Sequence, residues 1–494
     1  MGYLYDSIPI DKRVLIRAVI NTANSEGRLL TPDEIIEHRR NETYGNDLQK
    51  FFDSFREDGS GYLQKTIISA NVSAYLQDSR NFNYVVIDGL FYVYANGVYV
   101  RDTVGNDRIR LAINNLLDPV FRSKHRTAEI IDLLKTPDHI KTVNQMNTHP
   151  KHYICFRNGV YDPVKRKMLN HSPEYLFLNQ IPFDFDPDKA AAAKGDRIEK
   201  FFSDIKLSPE SRVMLLTFIG LCLTTDISLQ KFLVLKGRPG TGKSQLINLI
   251  KYVVGGEVNC SSESLEDINA NRFRAYNVLG KLCNANADLT TEGAVDPAII
   301  KQLVGEDTIS VERKHSQAIE ITPYAKFIFS MNGFPLIKAK DNSFYRRVMI
   351  LPVDSEPAQV NIHLQEELRG QADYLIAAAV KALEKYYRLP DQYVIESQES
   401  KDLVEIWRQH GDTVSAFLHL DDPFDGRREI ARTEIFSLYK DYCAEEERQP
   451  LTKHNFFESL RSKGYTEKTI KGTVYIEDIN YTEEFRKAAE APFD

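Results

Sequence analysis

The chain has 494 residues, with 63 Lys and Arg against 70 Asp and Glu, a net charge of −7, 42% hydrophobic residues and 27% charged ones. At roughly 150 residues per domain this is room for about three domains. The balance excludes a collagen, a coiled-coil rod, a disordered chain and a uniformly basic nucleic-acid coat, and leaves open a local basic tract or a basic channel formed by assembly.

Taken in chain order, the opening MGYLYDSIPIDKR has no apolar run of signal-peptide type, and Asp6 breaks the myristoylation pattern. Residues 1–80 carry roughly helical spacing and are expected to form a helical segment, with Thr31 capping and Pro32 in the first turn of one helix, and Asp58–Gly61 as a turn or boundary. Residues 81–195 are expected to be mixed α+β. Tyr84 to Val100 is β-branched and aromatic around Asp88-Gly89 and Asn96-Gly97, which are hairpin signals, and Tyr153 to Met168 repeats the pattern around Asn158-Gly159. Residues 108–148 between them read as helical, and the stretch from Phe183 to Lys194 reads as a connector.

From 196 to 390 the pattern is that of an α/β motor. Helices occupy about 198–223, and the apolar run Val213 to Leu223 is far below the ~20 residues that span a bilayer, so it reads as a buried helix and no membrane is expected as a partner. Between Lys231 and Pro352 short apolar strands alternate with helices, as in a largely parallel sheet. Residues 391–427 read as a polar helical linker. Residues 428–494 read helix, turn, helix, strands, the outline of a winged helix, with Thr452 to Lys463 as its recognition-type helix. The five cysteines, Cys155, Cys222, Cys260, Cys283 and Cys443, are spread without CxxC spacing and read as reduced, buried thiols of an intracellular protein.

The strongest local signal is KFLVLKGRPGTGKSQLINL from Lys231. A strand runs into GRPGTGKS and then into a helix, the context that a phosphate-binding loop requires. Gly237, Gly240 and Gly242 let the backbone curl so that successive N–H groups face phosphate oxygens, and the helix N-terminus adds partial positive charge. Lys243 is placed to neutralise the β- and γ-phosphates of ATP, and Ser244 to offer a hydroxyl to Mg²⁺. Pro239, Thr241 and Gln245 complete the candidate nucleotide-binding set.

From Arg272 to Asp354 the chain resembles superfamily 3 helicases, above all the phage and plasmid primase-helicase group that is related to the poxvirus primase-helicase. The likeness covers roughly residues 80–480 and is most specific from Gly237 to Pro352. It implies an AAA+-like P-loop motor and carries over residue by residue. KLCNANAD (Lys281–Asp288) stands where the family ends a strand with one or two acids. Here Asp288 is the acid for Mg²⁺ or water, with Glu292 nearby to share the role, and Asn286 is a departure from the pattern. Asn332, closing KFIFSMN, matches the polar sensor. Arg347, with Arg346 as substitute, matches an arginine that reaches ATP held by the neighbouring subunit, and Lys301 matches another basic residue acting in that direction.

The text between acid and sensor suggests a hairpin with Arg313, Lys314 and His315 at its tip, which in the family projects into the channel of a ring and moves DNA. The C-terminal unit implies further DNA contacts at Lys453, His454, Asn455, Arg461, Lys463, Lys468 and Lys471. Asp162, with Asp184 or Asp186, reads as a turn acid, without the setting of a primase centre. The expected function is an ATP-dependent, ring-forming, 3′ to 5′ DNA helicase for a phage, plasmid or mobile element, acting as a hexamer in the host cytoplasm, with a separate primase or initiator as partner. The alternative is a DNA-binding initiator or loader that uses ATP only to assemble.

Overall fold

The computed structural model describes residues 52–57, 63–67, 69–117, 122–190, 192–286, 289, 297–313, 318–335, 337, 342–354, 361–389, 396–410, 413–420, 423–424, 427–445 and 450–477. Strands β1 (Phe52–Glu57) and β2 (Leu63–Ile67) pair antiparallel where the sequence reading expected helix. The Gly-rich Asp58–Gly61 segment between them is itself a hairpin signal, which outweighs loose helical spacing. That segment, like the expected helix start at Thr31, lies outside the described residues.

Helix α1 (Ser69–Gln77) leads into an antiparallel meander of β3 (Tyr84–Ile87), β4 (Leu90–Ala95) and β5 (Val98–Arg101). Its two turns place both central residues at positive φ, 49° and 70° at Asp88-Gly89 and 52° and 94° at Asn96-Gly97, as the twist of a tight hairpin demands. Helices α2 (Asp107–Leu116) and α3 (Lys124–Leu133) close one face over Val72, Phe91, Val93, Ile113 and Ile130. A 3₁₀ turn at Val143–Gln145 follows. A second antiparallel sheet contains β6 (Ile154–Phe156), β7 (Gly159–Asp162) and β8 (Lys167–Leu169). Asp162 and Asp186 cap turns, accepting from Val164 and Lys165 and from Asp188 and Lys189, while Asp184 holds Arg157 through both oxygens.

A single turn, α4 (Pro187–Ala190), precedes α5 (Asp196–Asp204) and α6 (Pro209–Cys222). The Ser208 hydroxyl caps α6 and Pro209 occupies its first turn, and its apolar run is buried apart from exposed Val213 and half-buried Leu216. The central domain then runs β9 (Phe232–Lys236), α7 (Lys243–Val254), α8 (Gly256–Asn259), β10 (Cys260–Ser261), α9 (Leu265–Ala270), α10 (Arg272–Tyr276), β11 (Cys283–Ala285), α11 (Pro297–Val304), β12 (Ile309–Val311), β13 (Ile319–Ile321), β14 (Lys326–Met331), α12 (Asn342–Tyr345) and β15 (Val348–Pro352).

Five of these strands form one parallel sheet in the order β10-β11-β14-β9-β15. Helices cover both faces, so β9, β14 and β15 are apolar at nearly every position. Alternate residues divide between two cores. Leu233, Leu235, Ile328, Met349 and Leu351 pack with α6, α7 and α14. Phe232, Val234, Phe327, Phe329 and Ile350 pack with α9, α11 and Trp407.

Helices α13 (Leu364–Arg369) and α14 (Ala372–Tyr386) return over the sheet. Of the stretch read as a linker, α15 (Gln398–His410) lies along the edge strand β15. The Ser400 hydroxyl accepts from Ile350 N–H at 2.9 Å, and the fully buried Trp407 donates to the Pro335 carbonyl at 2.8 Å. Helix α16 (Thr413–Leu420) joins a C-terminal unit of β16 (Glu429–Ala431), α17 (Arg432–Glu445), α18 (Lys453–Ser462), β17 (Thr466–Ile470) and β18 (Thr473–Glu477). Its sheet order is β16-β18-β17, and Phe417, Tyr439, Phe456 and Ile476 fill its core.

All five cysteines are free and buried. Three that are distant in sequence come together. Cys260 and Cys283 are register partners on β10 and β11, and contact with Cys222 and Cys260, together with burial, raises the Cys283 thiol well above its ordinary value. Among the described residues no helix is long and apolar enough to cross a membrane.

Candidate functional site

The loop Gly237–Gly242 leaves the C-terminal end of β9, the strand enclosed between β14 and β15, and turns into α7. Only glycine fits at 237, where a Cβ would stand 2.0 Å from the Val353 carbonyl oxygen. Gly240 and Gly242 have φ of 82° and 96°, the left-handed conformation that lets amide groups converge. Thr241 is buried and its hydroxyl donates to the Arg238 carbonyl at 2.9 Å, leaving Arg238, Pro239 and Gly240 as an exposed tip. Ser244 is exposed on the first turn of α7, and Gln245 beside it is half-buried.

The Lys243 ammonium is buried and donates to the carbonyls of Gly237 at 2.5 Å and Arg238 at 2.8 Å, and to Asn332 Oδ1 at 2.9 Å. Strand pairing brings Lys243 and Asn332 together across 89 residues. Met331 is the register partner of Lys236, and Gly237 N–H donates to the Met331 carbonyl at 3.2 Å, so Asn332 leaves β14 where the loop leaves β9. A loop of converging N–H groups, a helix N-terminus and an ammonium that donates exchangeable hydrogen bonds to the oxygens of Gly237, Arg238 and Asn332 suit a polyphosphate. At the rim, Arg238 and Lys206 lie 3.7 and 3.4 Å from the Asp354 carboxylate.

Asp288 and Glu292 lie outside the described residues. The chain before and after Asp288 runs beside β14, with Asn286 N–H donating to Ile328 at 3.0 Å and Leu289 N–H to Ser330 at 2.7 Å. The side chain of Asn286 donates to the Ser262 carbonyl at 2.9 Å.

Arg346 and Arg347 stand at the opposite edge of the sheet. Val348 pairs with Phe232 at the N-terminal ends of β15 and β9, and Pro352 with Lys236 at the loop end. At about 3.3 Å per residue, the arginines are roughly 16 Å from the loop of their own chain. Arg347 is half-buried: Nη1 donates to the Ser343 carbonyl at 2.8 Å, while the buried Nε has no hydrogen-bond partner among the described residues. Burial, then the charge of Arg346, lowers its pKa from the ordinary value. Arg346 is exposed, and Lys231 anchors its backbone carbonyl at 2.7 Å. Lys301, half-buried on α11, comes from the neighbouring element, since α11 packs on α12.

Strands β12 and β13 form the expected hairpin, with Ile309 opposite Ile321 and Val311 opposite Ile319. Lys314 and His315 lie outside the described residues. Arg313 is described, and its guanidinium is engaged with the first meander turn: Nε is 3.3 Å from Asp88 Oδ2, and Nη2 donates to the Asp88 carbonyl at 3.3 Å. No sequence signal links these two, which are 225 residues apart.

In the C-terminal unit Lys453, His454, Asn455, Arg461 and Lys471 are exposed, but the unit's own acids lie close to several of its bases. Arg461 is 3.4 Å from Glu467, Lys468 4.0 Å from Glu477, and His454 3.9 Å from Glu458, and Lys463 donates to the Ser415 hydroxyl.

Two family models match parts of the chain: "D5 N terminal like" over residues 72–206, and a family of unknown function (DUF5906) over residues 235–347. Similar curated proteins include "Putative helicase L207/L206" of Acanthamoeba polyphaga mimivirus, 23% identical over 232 residues, covering 45% of this chain and 23% of that one. Another is "Putative helicase V13" of Sputnik virophage, 24% identical over 284 residues, covering 55% of this chain and 35% of that one. The chain thus spans about a quarter to a third of the length of these relatives. Among solved structures, the apo A form of the NrS-1 C-terminal region (305–718) aligns with a TM-score of 0.47 and 13% identity, over 83% of this chain and 99% of that one.

Proposed function

We propose that this chain is an ATP-driven replication helicase of a virus, phage or other mobile element, working as a ring of several copies around DNA. The observation that carries the reading is the meeting of Lys243 with Asn332, 2.9 Å apart at the C-terminal ends of adjacent parallel strands. A chance Gly-rich turn has no reason to bring its lysine to a polar strand end in this way. The D5 N-terminal-like match ahead of the loop and the helicase names of the two viral relatives support the same reading. The sheet order, with the loop strand enclosed between β14 and β15, suits an AAA+-like motor.

In this reading Lys243 exchanges the Gly237 and Arg238 carbonyls for the β- and γ-phosphate oxygens of ATP, and Asn332 orients the attacking water. The Ser244 hydroxyl and the Asp288 carboxylate would hold Mg²⁺, which would supply charge neutralisation on the phosphates. An arginine from the next copy, Arg346 or Arg347, and Lys301 with it, stabilises the charge of phosphoryl transfer. Lys314 and His315 meet the DNA backbone at the hairpin tip, which lets an acidic chain hold a polyanion locally. The C-terminal unit is a winged helix, and the place of work is the host cytoplasm.

Strand displacement on a forked duplex tests this. Wild-type protein with ATP is expected to open the fork, Lys243→Ala to lose both unwinding and hydrolysis, and Lys314→Ala to lose unwinding while keeping basal hydrolysis. Failure of the wild type to open the fork in either polarity while hydrolysing ATP would defeat the reading. The initiator or loader alternative needs a surface for tight, sequence-specific binding, and the glutamates paired with Arg461, Lys468 and His454 speak against it.

A further inference from the structure

Both legs of the β12–β13 hairpin are bonded to the N-terminal α+β region. On the outgoing leg Arg313 forms its ion pair and backbone bond with Asp88. On the returning leg Thr322 N–H donates to Asn144 Oδ1 at 3.1 Å, and the Tyr324 hydroxyl donates to Asn179 Oδ1 at 2.8 Å. The two anchor points belong to one piece of structure. Val86, two residues before Asp88, donates to the His139 carbonyl at 2.8 Å and accepts from Lys141 N–H at 2.9 Å, tying the meander to the segment that carries Asn144. Beside these bonds a cavity of about 910 Å³ lined by Tyr92, Arg101, Tyr276 and Lys281 separates part of the meander from the central domain, while Leu279 packs on the cluster of Val85, Ile87 and Tyr99. The Asp88 and Arg313 side chains are 16% and 29% exposed, which shields their attraction from full solvent screening.

We infer that Asp88 and Asn144 are positioning residues that mount the two legs of the hairpin on the N-terminal region, so that the legs move with that region. Arg313 is then the cation of the mount, and DNA contact falls to Lys314 and His315. The mount itself is a structural statement; its effect on DNA handling rests on the helicase reading above.

The test uses the full chain. Amide hydrogen exchange across residues 309–321 is followed in wild type, Asp88→Ala, Asn144→Ala and the conservative Asp88→Glu. Removal of a partly shielded ion pair is expected to speed exchange roughly fivefold in Asp88→Ala. Asn144→Ala should speed exchange in the returning leg, and Asp88→Glu should remain near wild type. Unchanged exchange in both alanine variants overturns the mount. In ATPase assays Asp88→Ala is expected to raise the DNA concentration for half-stimulation several-fold with basal turnover unchanged. A raised exchange rate without that change overturns the functional half. Lys314→Ala separates the two ideas: if it too leaves DNA stimulation untouched, the DNA role of the hairpin fails while the exchange result still decides the mount. If Asp88→Ala does not fold, Asp88→Asn, which keeps the shape and removes the charge, takes its place with the same outcomes.

Discussion

At the scale of single residues, the two adjacent arginines have different surroundings. The register of the family resemblance favours Arg347, but Arg347 spends Nη1 on the Ser343 carbonyl and buries its Nε, while Arg346 is exposed behind a clamped backbone. To reach a neighbour's nucleotide Arg347 must first leave the Ser343 carbonyl and its half-buried seat, whereas Arg346 is already exposed. Arg346→Ala is therefore expected to lower ATP turnover of the assembled protein by roughly 10³-fold with thermal stability unchanged, and Arg347→Ala to lower stability by about 1–2 kcal/mol. Turnover and melting of both variants, measured at saturating protein, decide it, and the reverse pattern would restore Arg347 as the finger. His149 gives a second residue-level prediction. It lies stacked on Phe177 at 3.8 Å, burial pushes its pKa down to about 4, and Nε2 finds no partner among the described residues. An unfolded histidine titrates near 6.5. Between pH 6.5 and 4 the unfolded chain therefore takes up a proton that the folded chain refuses, and stability falls as pH falls through that window, by about 3 kcal/mol when complete. Urea denaturation at pH 7 and pH 4.5 should show this slope in wild type and a shallower one in His149→Phe.

At the scale of elements, the loop glycines should separate by mechanism. Gly237→Ala places a methyl group 2.0 Å from the Val353 oxygen, in a segment where Val353 N–H also donates to Lys236, so the end of β15 or the loop must move. Gly240→Ala meets open space and faces only the strain of φ 82°, a cost of about 1–2 kcal/mol. Titration with a fluorescent ATP analogue should find binding weakened far more by the first substitution than by the second, and equal losses would mean that the loop does not hold its ligand in this shape. These elements were legible because their signals are local. Asp88-Gly89 and Asn96-Gly97 specify tight turns, the apolar strands between Lys231 and Pro352 specify a sheet buried on both faces, and the helix read over Thr452 to Lys463 is α18, Lys453–Ser462, with Thr452 as its cap. The helix expected over 52–67 failed for a local reason, since the Asp58–Gly61 turn signal outweighs loose helical spacing. Long-range facts were not legible. Nothing near Trp407 says that it fills the core of the sheet domain, and nothing near Cys222 says that it meets Cys260 and Cys283. Likewise, a solvated charge triplet and a triplet whose arginine is bound by Asp88 read identically.

At the scale of the whole molecule, the sheet has two chemically different edges. The C-terminal edge carries the loop and Asn332, and the N-terminal edge, a strand length away, carries Arg346 and Arg347. In the proposed reading neither arginine serves the loop of its own chain, and a complete site would need the loop edge of one copy to face the arginine edge of the next. Such a head-to-tail interface uses two different surfaces, and repeated with a closing rotation it generates a ring. This makes a sharp prediction for mixtures. Lys243→Ala subunits lack the loop lysine but keep Arg346, and Arg346→Ala subunits have the opposite defect. Each alone should be inactive. In an equal mixture with free exchange, a loop from the second variant meets an arginine from the first at about one interface in four, so turnover should rise to no more than about a quarter of wild type if sites act independently. A lower but non-zero value would indicate that several intact sites must act in concert. Mixtures no more active than their parents, under conditions where tagged and untagged wild-type subunits exchange, would mean that each chain completes its own site, and then the distance along β15 would have to be bridged by a rearrangement of α12.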